Sequence, residues 1–202
     1  MKKLFFTTML CLAAIYGFSQ AKVELGLKGG LNLASINRED AIANYENATG
    51  YHGGAYALIK VANIGIQPEL LYSTRGDKGD VTIAGVKEDF KSEYTYLDIP
   101  VMLKLYAVAG LNIQVGPQFG VLMSTSGEVY NPETGQTTKV SKDSYKNADI
   151  SAAIGAGWDA PFGVNFTARY ILGLTDIDSS EEEAKNRTFQ LSVGFRLFKV
   201  GK

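Results

Sequence analysis

The stretch Val23 to Leu33, V-E-L-G-L-K-G-G-L-N-L, decides how the chain is read. Its odd positions, Val23, Leu25, Leu27, Gly29, Leu31 and Leu33, are apolar or glycine, and its even positions, Glu24, Gly26, Lys28, Gly30 and Asn32, are charged, polar or glycine. A period of two is that of a β-strand, which turns successive side chains to opposite faces. One face is greasy and the other carries both signs of charge. In a secreted ligand-carrying barrel the greasy face points inward; in a membrane-spanning barrel it meets lipid and the charges fill the lumen.

Outward from this stretch, the alternation recurs seven times. A strand from about Gly50 to Val61 sets Tyr51, Ala55, Ala57 and Ile59 against His52, Tyr56, Leu58 and Lys60. Only Ala62 and Asn63 separate it from Ile64 to Arg75, a spacing that predicts a hairpin. Further strands are expected from about Glu93 to Leu105, Leu111 to Met123, Ala148 to Asp159, Val164 to Leu174 and Thr188 to Phe198. Between them lie polar segments, Ala34 to Thr49, Gly76 to Ser92, Ser124 to Asn147 and Thr175 to Arg187, which read as long loops, the second with a small hairpin of its own around Val81 to Val86. The connections therefore alternate long and short. An up-and-down barrel with an even number of strands, both ends in the periplasm, needs that order.

The chain begins with Met1-Lys2-Lys3, an apolar run from Leu4 to Phe18, and Ser19-Gln20-Ala21, the three regions of a secretory signal. Residues 1–21 are expected to be a signal peptide and residues 22–202 one barrel domain. The single cysteine, Cys11, falls in the leader without a lipoprotein box, so neither a disulfide nor a lipid anchor is expected. No later stretch approaches the roughly 18 apolar residues of a membrane helix. A formal net charge of −1 gives no footing for nucleic acid, and 22 glycines with 11 tyrosines and 10 phenylalanines favour strands and turns.

The charges on the even faces are Glu24, Glu69, Asp98, Asp149 and Asp159 against Lys28, Lys60, Arg75, Lys104, Arg169 and Arg196. Turned to lipid, each would cost a few kcal/mol near the midplane. Inside a barrel of eight strands, just wide enough for side chains to fill, they can pair. The sequence thus predicts an all-β, eight-stranded antiparallel up-and-down transmembrane β-barrel with a salt-bridged filling. Glu69 and Arg75, Asp98 and Lys104, and Arg169 and Arg196 are the leading candidates for this interior network. Tyr51, Tyr72 and Phe189 near loop ends, and Trp158, Phe166 and Phe195 near turn ends, fit two interfacial girdles. Pro68, Pro100 and Pro117 fall inside strands, where each deletes a ladder donor, so bulges or local irregularities are expected there.

Five segments in order carry a family resemblance: G-L-K-G-G-L-N-L, Q-P-E-L-L-Y-S at Gln67 to Ser73, Y-L-D-I-P-V at Tyr96 to Val101, V-G-P-Q-F-G at Val115 to Gly120, and A-R-Y-x-x-G-L at Ala168 to Leu174. The chain resembles the outer-membrane β-barrel domain family of porin-family or PorT-like small barrels from Gram-negative bacteria. The resemblance implies an eight-stranded barrel in the outer membrane and says little of activity. The chain departs from it at the end, where Phe198 is followed by Lys199-Val200-Gly201-Lys202 in place of a terminal aromatic residue.

Catalysis finds no motif. The one histidine, His52, has no His-x-Ser or Gly-x-Ser-x-Gly partner and reads as a solvated loop-end residue. No cofactor and no metal site is expected; the acidic run Asp176, Asp178 and Glu181 to Glu183 lacks the spaced pattern of a calcium loop. The first reading is an integral barrel with a filled lumen and a structural or surface-binding role, its long external loops meeting a protein or another surface ligand and its wall meeting outer-membrane lipid. A narrow low-conductance channel for small solutes is the second reading and a lipid-modifying barrel enzyme the third.

Overall fold

In the computed structural model, residues 21–37, 44–83, 86–131, 136–139, 148–174 and 185–201 are described. The leader and the acidic run 176–183 lie outside them. The strands are β1 (Lys22–Asn37), β2 (Asn44–Val61), β3 (Ile64–Ile83), β4 (Val86–Tyr106), β5 (Leu111–Asn131), β6 (Gln136–Lys139), β7 (Ala148–Asp159), β8 (Val164–Gly173) and β9 (Lys185–Val200). All pairings are antiparallel. The order runs β4-β3-β2-β1-β9-β8-β7-β5, and a β4–β5 ladder closes the ring. Eight strands form the barrel, while β6 pairs only with the outer part of β5, from Glu128 to Asn131.

Strand parity is the one that the sequence dictates. Leu25, Leu27 and Leu31 of the opening stretch are 49 %, 53 % and 55 % exposed, whereas Glu24, Lys28 and Asn32 between them are buried. Every other strand of the barrel shows the same split, so a continuous apolar surface wraps a polar interior. The three connections at one end are tight: Ala62-Asn63 with Ala62 at φ 51°, a single 3-10 turn at Val108–Gly110, and Ala160 to Gly163 closed by Ala160 N donating to Val164 O at 2.8 Å. The aromatic residues of this turn end form a patch in which Trp158 stacks on Phe166 at 6.0 Å and donates its indole N–H to Ala109 O.

At the opposite end the strands outrun the expectation. The stretch Gly76 to Ser92 is not a loop with a separate hairpin at its tip. It is the continuation of β3 and β4, paired down to Ile83 opposite Val86. In the same way β1 runs on to Asn37, β2 starts at Asn44 and β5 reaches Asn131. β3, β4 and β5 have 20, 21 and 21 residues, where about 9–11 suffice to cross a membrane. A hairpin with water on both faces needs no apolar alternation, so period-two reading stops at the membrane edge while the ladder goes on.

The prolines interrupt the ladders without shifting register. Between β2 and β3 the pairing passes from Tyr56–Glu69 to Ile59–Ile66, leaving out the step that contains Pro68. Between β4 and β5 it passes from Pro100–Gln118 to Leu103–Val115, leaving out the step at Pro117. The register shifts themselves sit elsewhere, at Leu25/Gly26 on the β1–β9 seam, at Asn47/His52 on the β2–β3 ladder and at Thr95/Tyr96 on the β4–β5 ladder.

Candidate functional site: a charge-filled lumen

The lumen is filled by side chains in three levels. At mid-height, Glu69 from β3 is gripped by Arg169 from β8 through a two-bond fork, Nη1 to Oε2 at 2.8 Å and Nη2 to Oε1 at 2.6 Å. Lys28 from β1 donates to the same carboxylate at 3.1 Å, and Gln67 donates at 2.6 Å. The side chains of Lys28, Glu69 and Arg169 are 0 % exposed. The fork is the geometry in which guanidinium and carboxylate bind best, and in a dry interior it also removes the need to solvate either charge. Gln114 from β5 accepts from Arg169 Nε and Nη2 at 3.0 and 2.8 Å and passes the chain on to Asn112.

Toward the turn end, Lys104 from β4 joins Gln67 (3.2 Å) to both oxygens of Asp159 (2.9 and 2.8 Å), and the Tyr106 hydroxyl donates to Asp159 at 2.5 Å. Glu24 accepts from Lys22 at 2.5 Å and from Arg196 at 2.9 Å. Lys60 lies half-buried at the mouth, its ammonium 3.5 Å from the Tyr106 ring centroid, with no carboxylate partner among the described residues.

Toward the loop end, Arg75 reaches Asp98 at 2.5 Å and Asp149 at 3.2 Å, with its guanidinium over the Tyr96 ring. Between this level and the middle lies an apolar layer. Leu71 and Met102 are 0 % exposed, and Met102 packs with Ala153 and Ile171. On each strand these residues fall between, or directly beside, the charged positions, so two charge clusters share one lumen across a greasy spacer.

The structure places the eleven charges named from the sequence in the interior or at its mouth. Glu69 meets Lys28 and Arg169, Asp98 meets Arg75, Lys104 meets Asp159, and Arg169 and Arg196 bind different carboxylates. Charges close in sequence on one strand stand at different heights, and cross-lumen partners follow from the curvature of the closed ring, which no single strand reveals. Glutamines and asparagines on the same polar faces, Gln67, Asn112 and Gln114 among them, join the network, a role that their parity alone does not assign.

His52 corrects a second expectation. It is buried, not solvated, and lies between Asn32 Oδ1 and Ser192 Oγ, each 2.9 Å from a ring nitrogen. With Nδ1–H donating to Asn32, Nε2 accepts the Ser192 hydroxyl proton. A Ser–His–Asn relay thus assembles from residues up to 160 positions apart, beyond the reach of any local motif. Asn32, His52 and Ser192 are 0 %, 3 % and 4 % exposed, so the hydroxyl is buried in the lumen filling. A nucleophile also needs room for the reacting atom beside oxyanion donors.

A closed antiparallel barrel with a greasy outer wall and a polar, salt-bridged interior defines an integral membrane β-barrel. Among the described residues no helix is long and apolar enough to cross a membrane, and the crossing is made by strands. The chain belongs to the outer membrane protein beta-barrel domain family, whose model matches residues 18–179, and its place is the cell outer membrane. Its fold is similar to that of neisserial surface protein A, at 8 % identity and a TM-score of 0.55 over 86 % of this chain and 97 % of that one. It is also similar to Ail, the attachment invasion locus protein of Yersinia pestis (12 %, 0.49, over 89 % and 99 %), and to OprG of Pseudomonas aeruginosa (10 %, 0.46, over 91 % and 97 %). No curated protein matches the chain in sequence.

Proposed function

We propose that the protein is a plugged barrel that presents its outward hairpins to a surface partner and carries no solute through its lumen. The observation that carries this reading is the Glu69 cluster, in which three charges from β1, β3 and β8 meet with no exposed side-chain surface. A conducting path would have to break the Arg169 fork and cross the Leu71–Met102 layer as well. β3, β4 and β5 continue about ten residues beyond a membrane crossing, roughly 30 Å along the strand. Backbone ladders hold these extensions, so a partner would meet a pre-ordered surface.

Purified barrel reconstituted in a planar bilayer tests the plug. A baseline without discrete steps is expected, and reproducible conductance steps would replace this reading with the channel. The role is also non-enzymatic, since the His52–Ser192 contact is enclosed. Replacing Ser192 by Ala should leave the lipid composition of the host outer membrane unchanged; a lipid product that disappears with the hydroxyl would establish the enzyme instead.

A further inference from the structure

The turn end holds a cavity of about 230 Å³, and the filling of the lumen does not use it. Short turns of outer-membrane barrels face the periplasm, so this vestibule opens there. Four cations line it, Lys22, Lys60, Arg196 and Lys199, against two carboxylates, Glu24 and Asp159. Both carboxylates are engaged. Glu24 is held by Lys22 and Arg196, and Asp159 by Lys104 and Tyr106 from the level above. Lys60 and Lys199 are left without a carboxylate among the described residues.

Two features of the backbone concentrate this charge. Lys22 and Lys60 are direct partners across the β1–β2 ladder, and like charges placed opposite one another destabilise a sheet. On β9, the bulge at Leu25/Gly26 passes from Arg196 opposite Gly26 to Phe198 opposite Leu25, making Leu197 the extra residue. Regular alternation from Arg196 would turn Phe198 and Val200 inward. The bulge turns them out, where they are 67 % and 72 % exposed, and brings Lys199, itself exposed, opposite Glu24 at the rim of the cavity. Re-aiming a side chain is what bulges do at barrel rims. The Tyr56 hydroxyl, which accepts from Asn165 at 3.0 Å, also lines the cavity, and its proton has no acceptor among the described residues.

We propose that this periplasmic vestibule binds a small phosphate-bearing anion. Four cations against two carboxylates leave the lining with an excess of two positive charges, which match the two charges of one phosphate, and a bound dianion would offset the Lys22–Lys60 repulsion. The cavity is smaller than the roughly 300–1,000 Å³ of pockets for drug-sized ligands, which restricts the occupant to phosphate itself or a compact monoester. The same chemistry is offered by a free phosphate in the periplasm and by the headgroup of an inner-leaflet lipid.

The test uses the whole barrel in phosphatidylcholine nanodiscs, titrated with inorganic phosphate and glycerol phosphate and followed by ³¹P NMR. Saturable binding is expected, weakened at least about tenfold in the double variant Lys60→Gln/Lys199→Gln, with an unchanged circular dichroism spectrum. If soluble phosphates fail to bind but phosphatidic acid in the nanodisc binds saturably, and the double variant abolishes it, the occupant is a lipid headgroup. Should the double variant not fold, Lys199→Gln alone decides, with a loss of several-fold expected at a strand-end position. Absence of both kinds of binding, or equal binding by the variants, overturns the proposal.

Discussion

The two charge clusters of the lumen are opposite in sign and unequal in quality. At mid-height a carboxylate stands between two cations, Lys28–Glu69–Arg169; nearer the loops a guanidinium stands between two carboxylates, Asp98–Arg75–Asp149. In the first, the fork and the amides of Gln67 and Gln114 engage both oxygens of Glu69 and the donors of Arg169. In the second, Arg75 Nε and Asp98 Oδ1 have no hydrogen-bond partner among the described residues. The difference follows position. Arg75 lies on the loop side of Tyr72, whose exposed ring marks the outer girdle, while Glu69 lies on the turn side, at the depth of the hydrocarbon. The complete bonding belongs to the Glu69 carboxylate and its fork, where an unpaired charge would cost most; neutral groups on the inward positions beside it, Thr167 Oγ1 and Gln190 Oε1, have no hydrogen-bond partner among the described residues.

Removing the central residue of each cluster separates them most. Glu69→Leu leaves Lys28 and Arg169 facing each other in a dry interior, and a loss of about 3–5 kcal/mol is expected. Urea unfolding of the barrel from lipid vesicles measures it. Replacing the whole cluster, with Lys28→Met and Arg169→Met added, should recover much of that loss, because no charge is then stranded. A triple variant no more stable than the single one would remove the ion-pair account of the filling. Arg75→Met should cost less, about 2–3 kcal/mol, since the guanidinium it removes is already incompletely bonded. Equal losses at Glu69 and Arg75 would show that depth does not matter.

A smaller effect tests the middle cluster through its wall. Gly155 of β7 faces Arg169, and a Cβ there would press on Ala168 O and come within 2.8 Å of Arg169 Cγ. Gly155→Ala should therefore cost about 1–3 kcal/mol, and the cost should fall when Arg169 is also replaced by Ala, which has no Cγ. An unchanged cost in that background would assign the effect to the backbone contact alone.

Much of this architecture is legible in the sequence, and the boundary has a physical cause. Alternation fixes which side of the wall each residue faces, so Glu24, Lys28, Glu69 and Arg169 are interior from their parity alone. The long and short connections fix the strand count and the common end of the termini. Partner choice is not local: Glu69 and Arg169 are 100 positions apart and meet only because the ring closes through β1–β9. The hairpin extensions of β3, β4 and β5 were read as loops because, outside the membrane, neither face of a strand must be apolar. His52 was placed in water for the same reason that Lys199 was overlooked. A lone polar residue near a strand end gives no sign of the bonds that turn it inward or of the bulge that brings it to the rim.

The finest distinction between the clusters concerns their flanks. Losing one flanking charge leaves a neutral pair in either case, so both losses should be small beside those at the centres. Lys28→Met keeps the Arg169 fork on Glu69 but gives up a buried donor, and a loss of about 1 kcal/mol is expected. Asp98→Asn keeps an oxygen facing Arg75 Nη2, leaves Asp149 as the full counter-charge, and alters an Oδ1 that has no partner among the described residues. Its effect should lie within about 0.5 kcal/mol of zero in the same unfolding measurement. If Asp98→Asn costs as much as Arg75→Met, the two residues act as an isolated ion pair and Asp149 contributes nothing to holding the guanidinium. If it is near neutral, the upper cluster holds one more negative charge than its stability requires.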